Sequence, residues 1–448
     1  MRKFFKITAV IILSLLIFFV ALFKYRQYQA NQVSIPRNAV SVLKISVDEV
    51  FKSLAANLIS NPGFYLKSND KQKPTTGRSK LASGLKIPAS IYFYFLQNQP
   101  KTAVFTRLEI KSLIDFESFI KHTLGFKILK KQNGISFASS SLGNMAICYN
   151  NEAAAIVVSS EMVSFEPILI KLLTQENFVK LSESRFNTMN GLTHHIAYSD
   201  NKNTFTTDFS TGAINFNANF PTEAIIPAAQ PEHRTFNEES TASIWLNADF
   251  PTIADKTYRF KNATIARDSL LKYYKGYVDF EWTNSIPQTD SIITYEYNDD
   301  FEKVEKITLQ KKEVPNFTLN IAAEATGLKN YLSRQKIINL DSGTVDKLVF
   351  PLYQAFVGGD NQQFLLGTNN NLKADTKKER STDFFSLDVN FKKLNTQSVI
   401  PGANRYLKSF SKLTMKGKAV NPHQVQLNGK LTLINGDINS LYQLLKDF

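Results

Sequence analysis

The charge-free run from Ile7 to Phe23, ITAVIILSLLIFFVALF, constrains this chain more than any other feature. It holds 17 residues, of which only Thr8 and Ser14 are polar. An α-helix of that length spans about 26 Å, against roughly 30 Å of bilayer hydrocarbon. Phe4 and Phe5 lengthen the apolar stretch, and Lys6 can snorkel outward. A single membrane-spanning helix is therefore expected. Arg2, Lys3, Lys6 and the amino group precede it while Lys24 and Arg26 follow, which places the N-terminus in the cytoplasm. A cleaved signal peptide is the rival. Its cut needs small residues one and three positions upstream, and Phe19-Val20-Ala21 and Tyr28-Gln29-Ala30 each put an aromatic at the outer one.

This patterning divides the chain into a cytoplasmic tail (1–6), an anchor (7–23), a polar stalk (24–35), and a body facing the periplasm or exterior of the cytoplasmic membrane. At 448 residues the chain is too long for one ordinary core. Hydrophobic residues make up 43%, with 35 Phe and 17 Tyr, enough to fill two cores and to exclude wholesale disorder. The segment 221–241, PTEAIIPAAQPEHRTFNEEST, carries three prolines, which remove donors and restrain their neighbours. It is expected to link a first domain (36–220) to a second (242–448). Residues 67–86 and 368–382 read as exposed loops.

A short unit recurs: alternating apolar residues, a polar residue, then an apolar pattern at helical spacing. It begins at Leu43, Leu108, Trp245, Leu319 and Leu431. Asp48, Asp115, Thr326 and Asp437 stand where a helix N-cap belongs, which is a simpler account of those carboxylates than acid–base chemistry. Further strands are expected at Ser90–Leu96, Ala103–Phe105, Ala153–Val158 and Ala213–Phe220, and further helices at Phe165–Thr188 and Asp268–Tyr274. The fold class is α+β: a transmembrane helix followed by two domains of antiparallel sheet, each with helices packed on one face.

Chemistry is sparse. The sole cysteine, Cys148, lies in the apolar run MAICY, which excludes intrachain disulfides and thiolate clusters and suits a buried hydrophobe. The adjacent His194 and His195 point to opposite faces of a strand and cannot easily share a metal, and His122, His233 and His423 have no H-E-x-x-H context. There is no G-x-S-x-G elbow, P-loop or G-x-G-x-x-G. Ser139-Ser140-Ser141 suits a hairpin turn, Gly358-Gly359-Asp360 lacks a phosphate-binding lysine, and Asp299-Asp300 with Glu302 suits a solvated turn. Catalytic, cofactor-binding and metal residues are accordingly assigned to none. The net charge of +14 is scattered rather than clustered and no nucleic-acid motif accompanies it, so nucleic acid is not expected. An anionic membrane or envelope polymer stays open as partner.

Ile35-Pro36-Arg37-Asn38-Ala39-Val40, leading through Val42, Leu43 and Ile45 into a helix, resembles the opening of membrane-attached bacterial envelope proteins in domain-of-unknown-function families. Tyr273–Phe280 and Asn439-Ser440-Leu441 fit the same likeness. Many such proteins are held by a lipidated cysteine, which this chain lacks. The resemblance implies an envelope location and no particular activity. The expected function is non-catalytic binding or scaffolding at the membrane, toward an envelope protein, lipid or anionic polymer. The alternatives are a carrier of lipid or another hydrophobic ligand, and a hydrolase of an envelope polymer built on distant carboxylates.

Overall fold

The computed structural model describes residues 21, 24–30, 32–66, 83–132, 134–161, 164–223, 225–251, 256–260, 263–297, 301–373, 377–397 and 407–447. The expected anchor Ile7–Phe23 lies outside these residues except for Ala21, which is helical, as are residues 24–30. Among the described residues no helix is long and apolar enough to cross a membrane. The chain forms two compact units, one of residues 1–211 with 437–442, the other of 212–436 with 443–448.

The first unit is an antiparallel sheet with helices, as the alternating runs require. Its elements are β1 (Ala39–Ile45), α1 (Val47–Ser60), β2 (Ile91–Leu96), β3 (Val104–Glu109), α2 (Leu113–His122), β4 (Lys127–Gln132), β5 (Ile135–Ser139), β6 (Met145–Tyr149), β7 (Ala153–Val158), α3 (Glu166–Leu173), β8 (Ile196–Ser199) and β9 (Thr204–Ser210). Pairing runs β9-β8-β1-β2-β3-β7-β6-β5-β4. Helices do not keep to one face here. Ala153, Ala155 and Val157 pack with Leu169, Leu172 and Leu173 of α3, while the intervening Ala154 packs with Phe116 and Ile120 of α2. Successive side chains of a strand face opposite ways, so β7 is covered on both sides. Its run of alanines leaves room for both layers.

Only the first part of the helix expected over Phe165–Thr188 forms. Gln175 and Asn177 take left-handed backbone angles (φ 56° and 59°), and Phe178–Lys180 pairs with Ser34–Pro36. Tertiary strand pairing overrides a helical spacing of apolar residues there.

The second unit contains β10 (Ala213–Pro221), β11 (Ala242–Asp249), β12 (Tyr274–Tyr297), β13 (Lys303–Ala323), α4 (Ala325–Arg334), β14 (Gln363–Gly367), β15 (Phe385–Asn390), α5 (Phe391–Thr396), β16 (Phe410–Asn421) and β17 (Gln424–Leu433). Pairing runs β10-β17-β16-β15-β11-β12-β13-β14, again antiparallel. Leu328, Tyr331 and Leu332 of α4 build one core with Phe364 and Ile338; Ala248, Phe384 and Val425 build another. Gly429 is fixed by packing: a Cβ there would sit 2.0 Å from the ring of Phe216, its partner across β10 and β17. The helix expected over Asp268–Tyr274 is the single turn Arg267–Leu271.

The segment 221–241 does not stand apart as a linker. Ile226–Pro227 pairs with β11, Glu232–Arg234 pairs with Lys378–Arg380, and the boundary between units falls at 211/212. Pro227 ends the first of these short pairings and Pro231 precedes the second, consistent with edge positions that need few donors.

Candidate interaction surface

The side chains singled out from sequence are placed as follows. Cys148 is buried, and burial pushes its thiol up to about 12, which leaves it a poor nucleophile. The turn Ser140–Asn144 joins β5 to β6, with Ser140 Oγ donating to Asn144 Oδ1 at 2.7 Å. At Gly359 (φ 89°) the chain turns, and Asp360 Oδ1 accepts from the N–H groups of Gln362 and Gln363. His122 ends α2, and His423 lies in the β16–β17 turn. Asp299 and Asp300 lie outside the described residues. Among the described residues no group of three His, Cys, Asp or Glu side chains could hold a metal.

His194 and His195 meet one carboxylate. Asp208 Oδ2 lies 2.6 Å from His194 Nδ1, and Asp208 Oδ1 accepts the main-chain N–H of His195 at 3.1 Å. His195 Nδ1 accepts from the N–H of Phe209 at 2.7 Å, which fixes its neutral tautomer with the proton on Nε2. Burial lowers the pKa of His195, against the pull of Asp208. The arrangement locks the β8–β9 hairpin rather than gathering ligands.

Helix caps follow a different register from the one expected. Ser112 Oγ accepts from the N–H of Asp115, Glu324 accepts from Gly327, Asn390 accepts from Lys393, and Asn439 accepts from Leu441. Asp115 and Thr326 lie within the first turns of α2 and α4. Asp48, inside the first turn of α1, takes two hydrogen bonds of 2.9 Å from the guanidinium of Arg26.

Two buried clusters escaped the sequence. On β1 Val42 and Lys44 are both buried, with Ser46 buried just beyond the strand, so Lys44 points inward at 3% exposure. Its Nζ donates to the carbonyls of Leu192 at 2.8 Å and Met189 at 3.2 Å, and lies over the ring of Tyr92. Burial lowers its pKa, with Glu49 opposing. Its protons are committed to main-chain oxygens at the end of the 3-10 turn Asn187–Gly191, so it serves as an internal strut. In the second unit Arg234 donates to Asp279 at 2.8 Å and Glu281 at 2.7 Å, and Asn320 donates to Asp279 at 3.0 Å. Burial pushes the Asp279 carboxyl up, against Arg234 and Asn320. Asp279 and Glu281 share one face of β12, and this ion pair ties the stretch read as linker into the unit. The sequence signal was an acid at i and i+2 within an otherwise apolar strand, YVDFEW.

The feature best suited to recognition is the far part of the β12–β13 hairpin. From Ser285/Pro315 to Tyr297/Lys303 the two strands pair without interruption. Among the described residues β12 and β13 gain further strand partners only nearer the core, β11 at residues 277–282 and β14 at 318–322. The ribbon displays Ile307 and Leu309 at 71% and 72% exposure, with Phe301 at 87% in the connecting turn. Beside them, Lys303 Nζ lies 4.1 Å from the ring centre of Tyr295. These exposed apolar side chains on a two-stranded ribbon make it the candidate surface for recognition.

No protein-family model matches the chain, and no curated protein matches it. Crystal structures of TP0453 are similar at low level. Crystal form I shares 9% identity over 75% of this chain and 89% of that one, with a TM-score of 0.24. Crystal form III shares 10% identity over 75% and 90%, with a TM-score of 0.23. Likeness at that level carries no argument about fold or function.

Proposed function

We propose that this chain is a single-pass protein of the cytoplasmic membrane with its N-terminus inside, and that it works by binding or scaffolding in the cell envelope. The envelope location is also what its resemblance to membrane-attached envelope proteins implies. One observation carries the binding role: the β12–β13 ribbon displays Ile307 and Leu309 to solvent, where a purely structural hairpin would turn polar side chains outward. The basic start and charge-free run of the first 23 residues support the anchor.

The test has two arms. Protease added outside the cytoplasmic membrane should digest most of the chain, and the protein should resist carbonate extraction. Affinity purification from detergent-solubilised membranes should recover partners that the Ile307→Ser/Leu309→Ser variant loses while its melting stays unchanged. Release by carbonate would overturn the anchor. Identical recovery by the two proteins would overturn the ribbon's role in binding.

A further inference from the structure

Between Lys303 and Glu313 the outward positions of one ribbon face read Lys303, Glu305, Ile307, Leu309, Lys311, Glu313. The pairing with β12 is regular over this stretch, so these alternate residues do share a face. All six are exposed. Among the described residues no strand pairs with the opposite edge of β13 here. Natural sheets guard such an edge with charges placed to repel a second strand. These charges do the reverse. Read antiparallel against itself about Thr308, the series sets Lys303 opposite Glu313, Glu305 opposite Lys311, and Ile307 opposite Leu309, each pair occurring twice by symmetry.

Other two-fold registers lack this match. In an antiparallel pair related by a two-fold axis normal to the sheet, opposed residues share a face, so the axis passes through one residue. Centring it on Ile307 opposes Lys303 to Lys311; centring it on Leu309 opposes Glu305 to Glu313 and buries Ile307 against Lys311. Like charges directly opposite are destabilising, while opposite charges and apolar pairs contribute favourably.

We infer that the occupant of this edge is a second copy of the chain, with the two β13 strands pairing antiparallel about Thr308 into a four-stranded sheet. Tyr295, Ile307 and Leu309 of each copy then form one apolar stripe on a shared face. This deepens the binding role proposed above by naming the partner, and it rests on that reading of the ribbon.

The full-length chain in mild detergent tests it. The only native cysteine, Cys148, is buried, so an introduced thiol is the sole accessible one. Thr308→Cys places two thiols in self-opposed positions about 5 Å apart, within reach of a disulfide. Gln310→Cys places them about 14 Å apart. Mild oxidation should give a covalent dimer with the first and not the second. In sedimentation the unoxidised wild type should dimerise. Lys311→Glu should weaken association roughly tenfold or more, and Glu305→Lys/Lys311→Glu should restore it. A chain that stays monomeric with no cross-link at Thr308→Cys overturns the inference, as does a dimer indifferent to Lys311→Glu. If that happens while Ile307→Ser/Leu309→Ser still loses an envelope partner, the binding role stands with a different partner. If neither variant set changes anything, the ribbon's role fails as well.

Discussion

The side-chain oxygen of Asn57 accepts the main-chain N–H of Asn439 at 2.7 Å, across 382 residues of sequence. Asn57 Nδ2 donates in turn to the carbonyl of Asp437 at 2.9 Å. Asn439 uses its own amide to reach Ser53 Oγ and the carbonyl of Phe209, at 2.9 and 3.0 Å, while its Oδ1 caps the helix Ser440–Asp447 through Leu441. Both residues are buried and lie in the first unit.

Asn439 acts as donor and acceptor together, so neither half of its amide is dispensable. Asn439→Ala should destabilise the first unit by about 1–3 kcal/mol, because the N–H of Leu441 loses its cap and the carbonyl of Phe209 keeps only the Ser53 hydroxyl as donor. Asn439→Asp keeps the capping oxygen but cannot donate, and it should be nearly as damaging. Urea denaturation would show this; a harmless Asp substitution would mean the cap alone matters.

The helix caps give a second expectation. Ser112→Ala should cost about 0.5–2 kcal/mol, while Asp115→Asn should change melting little, since Asp115 contributes its main-chain N–H and not its carboxylate. The reverse order of effects would restore Asp115 as the cap.

Lys44 gives a pH dependence. Its folded pKa lies below the ordinary 10.5, so the folded state gives up the proton first. The linked stability is present above 10.5 and is lost as pH falls through the lowered value. Wild type should therefore gain stability relative to Lys44→Met as pH rises from 7 toward 10. Denaturation midpoints of the two proteins at several pH values measure the difference, and a constant gap would contradict it.

Breaking the Arg234–Asp279 pair should be severe. Asp279→Ala leaves a largely buried guanidinium with Glu281 alone and should cost about 3–5 kcal/mol, whereas Asp279→Asn keeps an acceptor oxygen and should cost less. Thermal melting of the two variants, compared directly, tests the ranking. Equal melting temperatures would show that Glu281 suffices for Arg234.

Much of the local structure was legible because it is encoded locally. The strand-to-helix units starting at Leu43, Leu108, Leu319 and Leu431 appear as β1–α1, β3–α2, β13–α4, and β17 followed by the helix Ser440–Asp447. The helical part of the unit at Trp245 falls on residues 251–254, of which only Pro251 lies among the described ones. What failed depends on partners distant in sequence. Alternation alone does not tell which face of Leu43-Lys44-Ile45 is covered, and in the strand, paired with Tyr92 and Ala197, it is Lys44 that lies on the more deeply covered side. Prolines at 221, 227 and 231 suggested a free linker, yet Arg234 finds its acids on β12. The ribbon went unnoticed because its meaning lies in exposure, which periodicity does not report.

Residues 437–442 complete a unit whose other members all lie before residue 212. A chain emerging in order from its N-terminus therefore presents every strand from β1 to β9 before the piece that carries Asp437 and Asn439 exists. Closing such a long loop is slow, because its entropy must be lost before the final contacts reward it. Until synthesis has passed the whole of the second unit, the first has its strands but lacks the hydrogen bonds that Asp437 and Asn439 bring to Asn57, Ser53 and Phe209, and that interval is when it is most open to proteases and to misassembly.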